Sequence, residues 1–129
     1  MSVKQFFTSL KNAKRGLTFV YKNEQNFRIQ IFVSIFVLIA LFIFSVKRTE
    51  VVVILLLITL VLILEILNSA VEKFADIVKP RLHEQVKIVK DILAAMVLFS
   101  AVSSGIIGLI IFLPYILDAF ENYLDTFIN

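Results

Sequence analysis

The sequence predicts an all-α membrane protein, with three transmembrane helices preceded by an N-terminal amphipathic surface helix. Three observations predict it. The 129-residue chain is 60% hydrophobic, well above the ~45–50% apolar share of soluble domains. Only 18% of its residues are charged, and they cluster between apolar runs. Each long run is near the ~20 residues that a bilayer core requires.

Residues 3–22 read as the surface helix. Phe6, Leu10, Ala13, Leu17 and Val20 recur at the helical period. Lys4, Lys11, Arg15 and Lys22 project into a separate arc. An apolar face opposed by a basic one suits a helix lying in the membrane interface. The first span is about 27–46, with Arg28 and Gln30 at its entry. No small-residue cleavage site follows it, so it reads as an anchor and not as a removed signal peptide. Lys47-Arg48-Thr49-Glu50 reads as a tight hairpin into a second span, about 51–71.

The polar segment Glu72–Asp91 reads as a loop, broken at Lys79-Pro80 because Pro disfavours helix in the residue before it. The third span, about 92–117, contains no charge. Its small residues Ala94, Ala101, Ser104, Gly105 and Gly108 read as a face for close helix packing. The tail Asp118–Asn129 has three acids and no Lys or Arg, and is a candidate short surface helix. The whole, 1–129, fits one integral-membrane domain.

Lys and Arg set the orientation. The N-terminal segment holds six, the 72–91 loop five, the 47–50 hairpin two and the tail none. The N-terminus and the 72–91 loop are therefore expected on the cytoplasmic side, and the C-terminus outside. The same topology accounts for the net charge of +3, so no nucleic-acid partner is expected.

Composition also excludes chemistries. There is no Cys, hence no disulfide, thiolate nucleophile or Cys-ligated zinc. One His cannot build a multi-His metal site within a chain. Gly16, Gly105 and Gly108 are the only glycines, and neither GxxxxGK(S/T) nor GxGxxG can be written with them. Nucleotide phosphates would have to be held by Lys, Arg and a carboxylate-bound metal.

The informative stretch is Glu65-Ile-Leu-Asn68-Ser-Ala-Val-Glu72-Lys-Phe-Ala-Asp76, which runs out of the second span. Intramembrane acids cost roughly 2.5–3.5 kcal/mol each on insertion scales and are functional by default. At 100° per residue, Glu65, Asn68, Glu72 and Asp76 share one helix face. Glu65 lies roughly 10 Å deeper than Glu72. Desolvation penalises a carboxylate's charged form and makes it a candidate base. A carboxylate nearer water suits a divalent metal. The plainer reading is a polar stripe that specifies an oligomer through interhelical hydrogen bonds.

Three other features have plain readings of their own. Lys90-Asp91 would ordinarily be an interface anchor, with Lys snorkelling and Asp capping a helix. Beside a carboxylate face, Lys90 becomes a candidate for phosphate charge. Glu24, the only acid in the first thirty residues, is either an ion-pair partner for Lys22 or Arg28 or a second metal carboxylate. His83 would ordinarily be a solvated loop residue.

The twelve-residue stretch resembles the signature of the small bacterial membrane lipid kinases, the diacylglycerol kinase and undecaprenol kinase family. That signature is Glu-(Ile/Leu)-Leu-Asn-(Ser/Thr)-Ala-(Ile/Val)-Glu with Asp four residues on. Asn23-Glu24-Gln-Asn26-Phe27-Arg28 is similar to the family's entry to its first span, and His83 with Lys90-Asp91 to its H-x(6)-K-D. Gly105-Ile-Ile-Gly-Leu-Ile-Ile-Phe-Leu-Pro114 is similar to the ending common in Gram-positive undecaprenol kinases. The likeness covers roughly residues 5–115. Ala75 and Val89 depart from the family's usual Val and Ala, Lys79-Pro80-Arg81 is unusual for that loop, and the tail after Pro114 is longer.

The resemblance implies a homotrimer with active sites shared between neighbours at the cytoplasmic interface. It implies transfer of the γ-phosphate of ATP, with Mg2+, to a membrane lipid alcohol: undecaprenol first, diacylglycerol as the alternative. Glu65 matches the catalytic base and Asn68 a supporting polar residue, which makes these two the catalytic candidates. Glu24 and Glu72 match the carboxylates that hold magnesium with ATP. Lys90 and Asp91 match nucleotide contacts, and Arg81, Leu82 and His83 occupy the loop near the nucleotide. Glu65 and Ala94 are the candidate contacts to the lipid acceptor. Two other classes compete: an assembly subunit whose stripe only specifies oligomerisation, and an ion carrier using Glu65. The charge-free third span counts against the carrier.

Overall fold

A computed structural model describes residues 2–78 and 83–128, with the backbone only at Val78, His83, Phe127 and Ile128. Four helices account for nearly all of them: α1 Val3–Asn23, α2 Gln25–Ile43, α3 Arg48–Val78 and α4 His83–Ile128. Three of them, α2, α3 and α4, are long and apolar enough to cross a membrane. At 1.5 Å per residue, the 19 residues of α2 span about 28 Å, close to the ~30 Å hydrocarbon core. The protein is thus an integral membrane protein built of helices, the solution lipid enforces because every backbone polar group must be paired internally.

α1 starts on a capping box. Ser2 Oγ accepts from the Gln5 N–H, and Gln5 Oε1 accepts from the Ser2 N–H. Such a box satisfies two amides that a helix start leaves unpaired. The break after α1 is one residue long. Glu24 is extended, with φ −105° and ψ 112°, and both helices end on it. The carbonyls of residues 19–22 at the end of α1 are all taken. Asn23 Nδ2 donates to Phe19 O, the Glu24 N–H to Val20 O, and Arg28 Nη1 to Tyr21 O and Lys22 O. Helix ends are stable only when these orphan acceptors find donors.

The structure revises several expected boundaries. α2 stops at Ile43, and Arg48, Thr49 and Glu50 form the first turn of α3, so the turn lies at 44–47. Within it Ser45 has φ 49°, the left-handed conformation that commonly ends a helix. Most of the expected 72–91 loop is helical. α3 runs on to Val78 and α4 begins at His83, because the polar residues there continue the helical pattern outside the hydrocarbon layer. The expected break at Lys79-Pro80 lies outside the described residues. The tail is not a separate surface helix: α4 continues through Pro114 to Ile128. Proline removes one backbone donor without ending a long transmembrane helix, since neighbouring groups can satisfy the freed carbonyl.

α3 is the centre of the fold and packs on each of the other three helices. Its buried residues Ile54, Val61, Glu65, Ser69 and Ala75 fall within an arc of about 120°. Among the described residues, α2 and α4 do not approach each other along their backbones. A groove of about 470 Å³ opens between them, lined by Val33, Val37, Leu57, Ile58, Gly105 and Gly108 among others. A Cβ on Gly105 or Gly108 would meet nothing within 4 Å. Within one copy these glycines line a groove and do not draw helices together, which leaves contact between subunits as the packing expected for this face.

Three hydroxyls inside the spans are satisfied locally. Ser34, Thr59 and Ser100 each donate to a carbonyl of their own helix, which spares the lipid an unpaired donor. At the end of the bundle remote from Glu65, the Tyr115 hydroxyl donates to Glu50 and accepts from the Lys47 N–H at 3.2 Å. Phe44 and Phe112 stack edge to face beside it, 6.3 Å apart. These contacts tie α4 to the α2–α3 turn.

Candidate active site

The sequence VLILEILNS carries α3 from apolar into polar residues without a break in the helix. Glu65 and Ser69 follow Val61 at intervals of four, so they occupy the same buried face. Glu65 is 2% exposed and Ser69 1%. A carboxylate in that position needs a hydrogen-bond partner. Gln30 on α2 supplies one: its Nε2 donates to Glu65 Oε2 at 3.2 Å. Gln30 also lines the groove, together with Ser34 and Ser104. The apolar groove therefore reaches the residue that bonds the buried acid, and Glu65 itself is not part of its lining.

Two further carboxylates approach Glu65. It interacts electrostatically with both Glu24 and Glu72. Each of these is half-buried. Glu24 does not pair with Arg28, which is committed to the end of α1. Its Oε1 instead accepts from Ser69 Oγ at 3.2 Å. The structure thus brings Glu24, Glu65 and Glu72 to one side of α3, from two different elements.

Asn68 lies beside Glu65 on α3, half-buried, and its Oδ1 has no hydrogen-bond partner among the described residues. Gln30 Oε1 and Ser104 Oγ are in the same position. Buried acceptors without donors are uncommon and mark places where a further group is bound. Lys90 Nζ pairs with Asp76 Oδ1 at 3.6 Å, bridging α4 to the last turns of α3. Asp91 and Ala94 are exposed. His83 opens α4, with its side chain outside the described residues, and Arg81 and Leu82 lie outside them altogether.

Two residues of the cluster, Gln30 and Ser69, were not singled out as site residues from sequence. Gln30 was noted only as a polar entry to a span. A glutamine within lipid reach was the available signal; its pairing with Glu65 needed the tertiary structure. Ser69 falls at the Ser/Thr position of the signature, but no role attaches to it from sequence because serine is common in transmembrane helices.

No group of three or more His, Cys, Asp or Glu forms a ready metal site among the described residues. The donors present are nonetheless of the right kind for magnesium. Hard carboxylate oxygens suit it, and it is usually held by one or two carboxylates plus substrate phosphates, not by an all-protein cage. Glu24 and Glu72 fit that description. The arrangement as a whole offers a shielded carboxylate, two half-buried carboxylates beside it and an apolar groove that reaches Gln30, its hydrogen-bond partner.

Comparisons with known proteins identify the family. Residues 11–112 match the family model described as prokaryotic diacylglycerol kinase. A diacylglycerol kinase of Synechocystis sp. is 36% identical over 111 residues, covering 85% of this chain and 63% of that protein. The chain thus spans less than two thirds of that relative. An undecaprenol kinase of Bacillus subtilis is 38% identical over 110 residues, covering 85% of this chain and 89% of that one. A diacylglycerol kinase of Haemophilus influenzae is 31% identical over 99 residues, covering 77% and 84%. No solved structure matches significantly. With its glutamate-bearing second span and a family match across most of its length, the chain belongs to the prokaryotic diacylglycerol kinase family, a family of membrane lipid kinases.

Proposed function

We propose that the chain is an ATP- and magnesium-dependent lipid kinase of the bacterial cytoplasmic membrane that converts undecaprenol to undecaprenyl phosphate. The observation that carries this reading is Glu65: a carboxylate 2% exposed within a transmembrane bundle, bonded to Gln30, which lines an apolar groove. A lipid alcohol enters such a groove laterally, with its chain against Val33, Val37 and Leu57 and its hydroxyl at Glu65. The likeness to an undecaprenol kinase over 89% of that relative supports the choice of alcohol. Diacylglycerol is the second reading, favoured by two relatives named diacylglycerol kinase.

Phosphoryl transfer is mostly positioning and charge neutralisation. Glu65 accepts the proton of the acceptor hydroxyl, and Gln30 holds its carboxylate in place. Asn68 supplies a polar contact to the reacting groups. Ala94 lies against the acceptor. Glu24 and Glu72 hold magnesium, which when bound neutralises phosphate oxygens of the nucleotide. Lys90 offsets the charge that develops on the transferred group, after leaving Asp76. Asp91, Arg81, Leu82 and His83 complete the nucleotide side.

The architecture follows the same reading. The chain is one domain, 1–129. α1 lies in the membrane interface on its apolar face, with Lys4, Lys11, Arg15 and Lys22 toward the headgroups. The N-terminus and the segment between α3 and α4 are cytoplasmic and the C-terminus is outside, following the excess of Lys and Arg. The unit is a homotrimer with sites shared between neighbours, and the unpartnered Asn68 Oδ1 supports a neighbouring group close to the site.

The test is purified protein in detergent with labelled ATP, offered undecaprenol and diacylglycerol in parallel. Magnesium-dependent label on undecaprenol, faster than on diacylglycerol, is expected. The reverse preference selects the second reading, and label on neither overturns the kinase assignment.

A further inference from the structure

Glu24 does more than separate two helices. It is the C-cap of α1 and the N-cap of α2 at once, and its side chain makes no capping bond to α2. A carboxylate at an N-cap ordinarily turns back onto the first free amides of its own helix. This one turns away, to Ser69 Oγ on α3. Ser69 is equally unusual. Thr8, Thr18, Ser34, Thr59 and Ser100 all donate to carbonyls of their own helices. Ser69, 1% exposed, donates across to another element instead. Two polar side chains thus both forgo their local partners for one another.

We infer that Ser69 is a positioning residue for the cation site: its hydroxyl fixes the Glu24 carboxylate against α3, so that the α1–α2 break and the carboxylates of α3 form one rigid unit. The inference rests on the reading of Glu24 as a magnesium carboxylate. A carboxylate held through Oε1 keeps its second oxygen for a cation, and its orientation is set before the cation arrives. Without the bond, Glu24 sits on a single extended residue between two helices, free to rotate. The Lys73 ammonium over the Phe19 ring, 5.5 Å from its centroid, ties α1 to α3 on the same side.

The test is direct Mn2+ binding to the full chain in detergent, followed by the Mn2+ paramagnetic resonance signal with a non-hydrolysable ATP analogue present. Substitutions at residues that orient metal ligands typically cost 10–100-fold in affinity. Ser69→Ala should raise the Mn2+ dissociation constant by roughly tenfold, within that range, while Ser69→Thr, which keeps the hydroxyl, stays near wild type. In a Glu24→Ala background Ser69→Ala should add nothing, because the carboxylate it orients is gone. The lipid KM should not move in either serine variant. Wild-type Mn2+ affinity in Ser69→Ala, beside weakened binding in Glu24→Ala, overturns the role of Ser69 alone. Wild-type affinity in Glu24→Ala overturns the metal reading of Glu24 as well. A loss in Ser69→Ala that persists without Glu24, or that Thr does not restore, makes Ser69 a packing residue and refutes the inference.

Discussion

Gln30 on α2 donates its side-chain amide to Glu65 on α3 across the helix interface, at 3.2 Å. The bond joins a residue at the start of the first span to an acid near the end of the second. It compensates part of the cost of burying a carboxylate. It also aims that carboxylate at the top of the groove, which Gln30 itself lines.

Glu65→Gln should abolish turnover and leave ATP binding intact. Gln keeps the volume and can still bond Gln30, but it cannot take a proton. General-base catalysis contributes roughly 10²–10⁴-fold, and a loss of that size in kcat is expected. Single-turnover kinetics beside nucleotide binding will measure it. A kcat near wild type would refute the assignment of the base.

Glu24→Ala and Glu72→Ala should each raise the magnesium concentration needed for half activity. Both carboxylates act on Glu65 from the same side. If they share one ion, the double variant will lose much less than the two single losses combined. Magnesium titrations of the four proteins decide the matter. Additive losses would mean that the two act separately.

Subunit mixing tests which residues one chain supplies to a site. The Ser69 link holds Glu24 against α3 of its own copy, so Glu65→Gln chains mixed with Glu24→Ala chains should regain no activity in mixed oligomers. The measurement is activity after verified subunit exchange, at a magnesium concentration too low for Glu24→Ala alone. Recovery would mean that one site takes these two carboxylates from different chains.

Tyr115→Phe should destabilise the bundle without touching the chemistry. The hydroxyl ties α4 to Glu50 and to the Lys47 amide, at the end remote from Glu65. Removing it breaks a hydrogen bond to a charged group. A lower Tm in detergent with an unchanged kcat is expected. An unchanged Tm would show that the tie is not stabilising.

The sequence alone determined the membrane class, the number of spans and the face that carries Glu65, Asn68 and Glu72. Hydrophobic length and helical period are local properties, and both can be counted along the chain. Polar character misled where it was equated with loop. The 72–78 and 83–91 segments are charged yet helical, because water tolerates an amphipathic helix as readily as a turn. The tertiary structure decided what no local rule carries. It made Glu24 the acceptor of Ser69 and not a partner of Arg28, which it committed to the α1 carbonyls. It paired Lys90 with Asp76 and Gln30 with Glu65. It also opened a groove along Gly105 and Gly108 within one copy. Each of these depends on how three helices cross, and crossing is set by side chains distant in sequence that meet only when the bundle has formed.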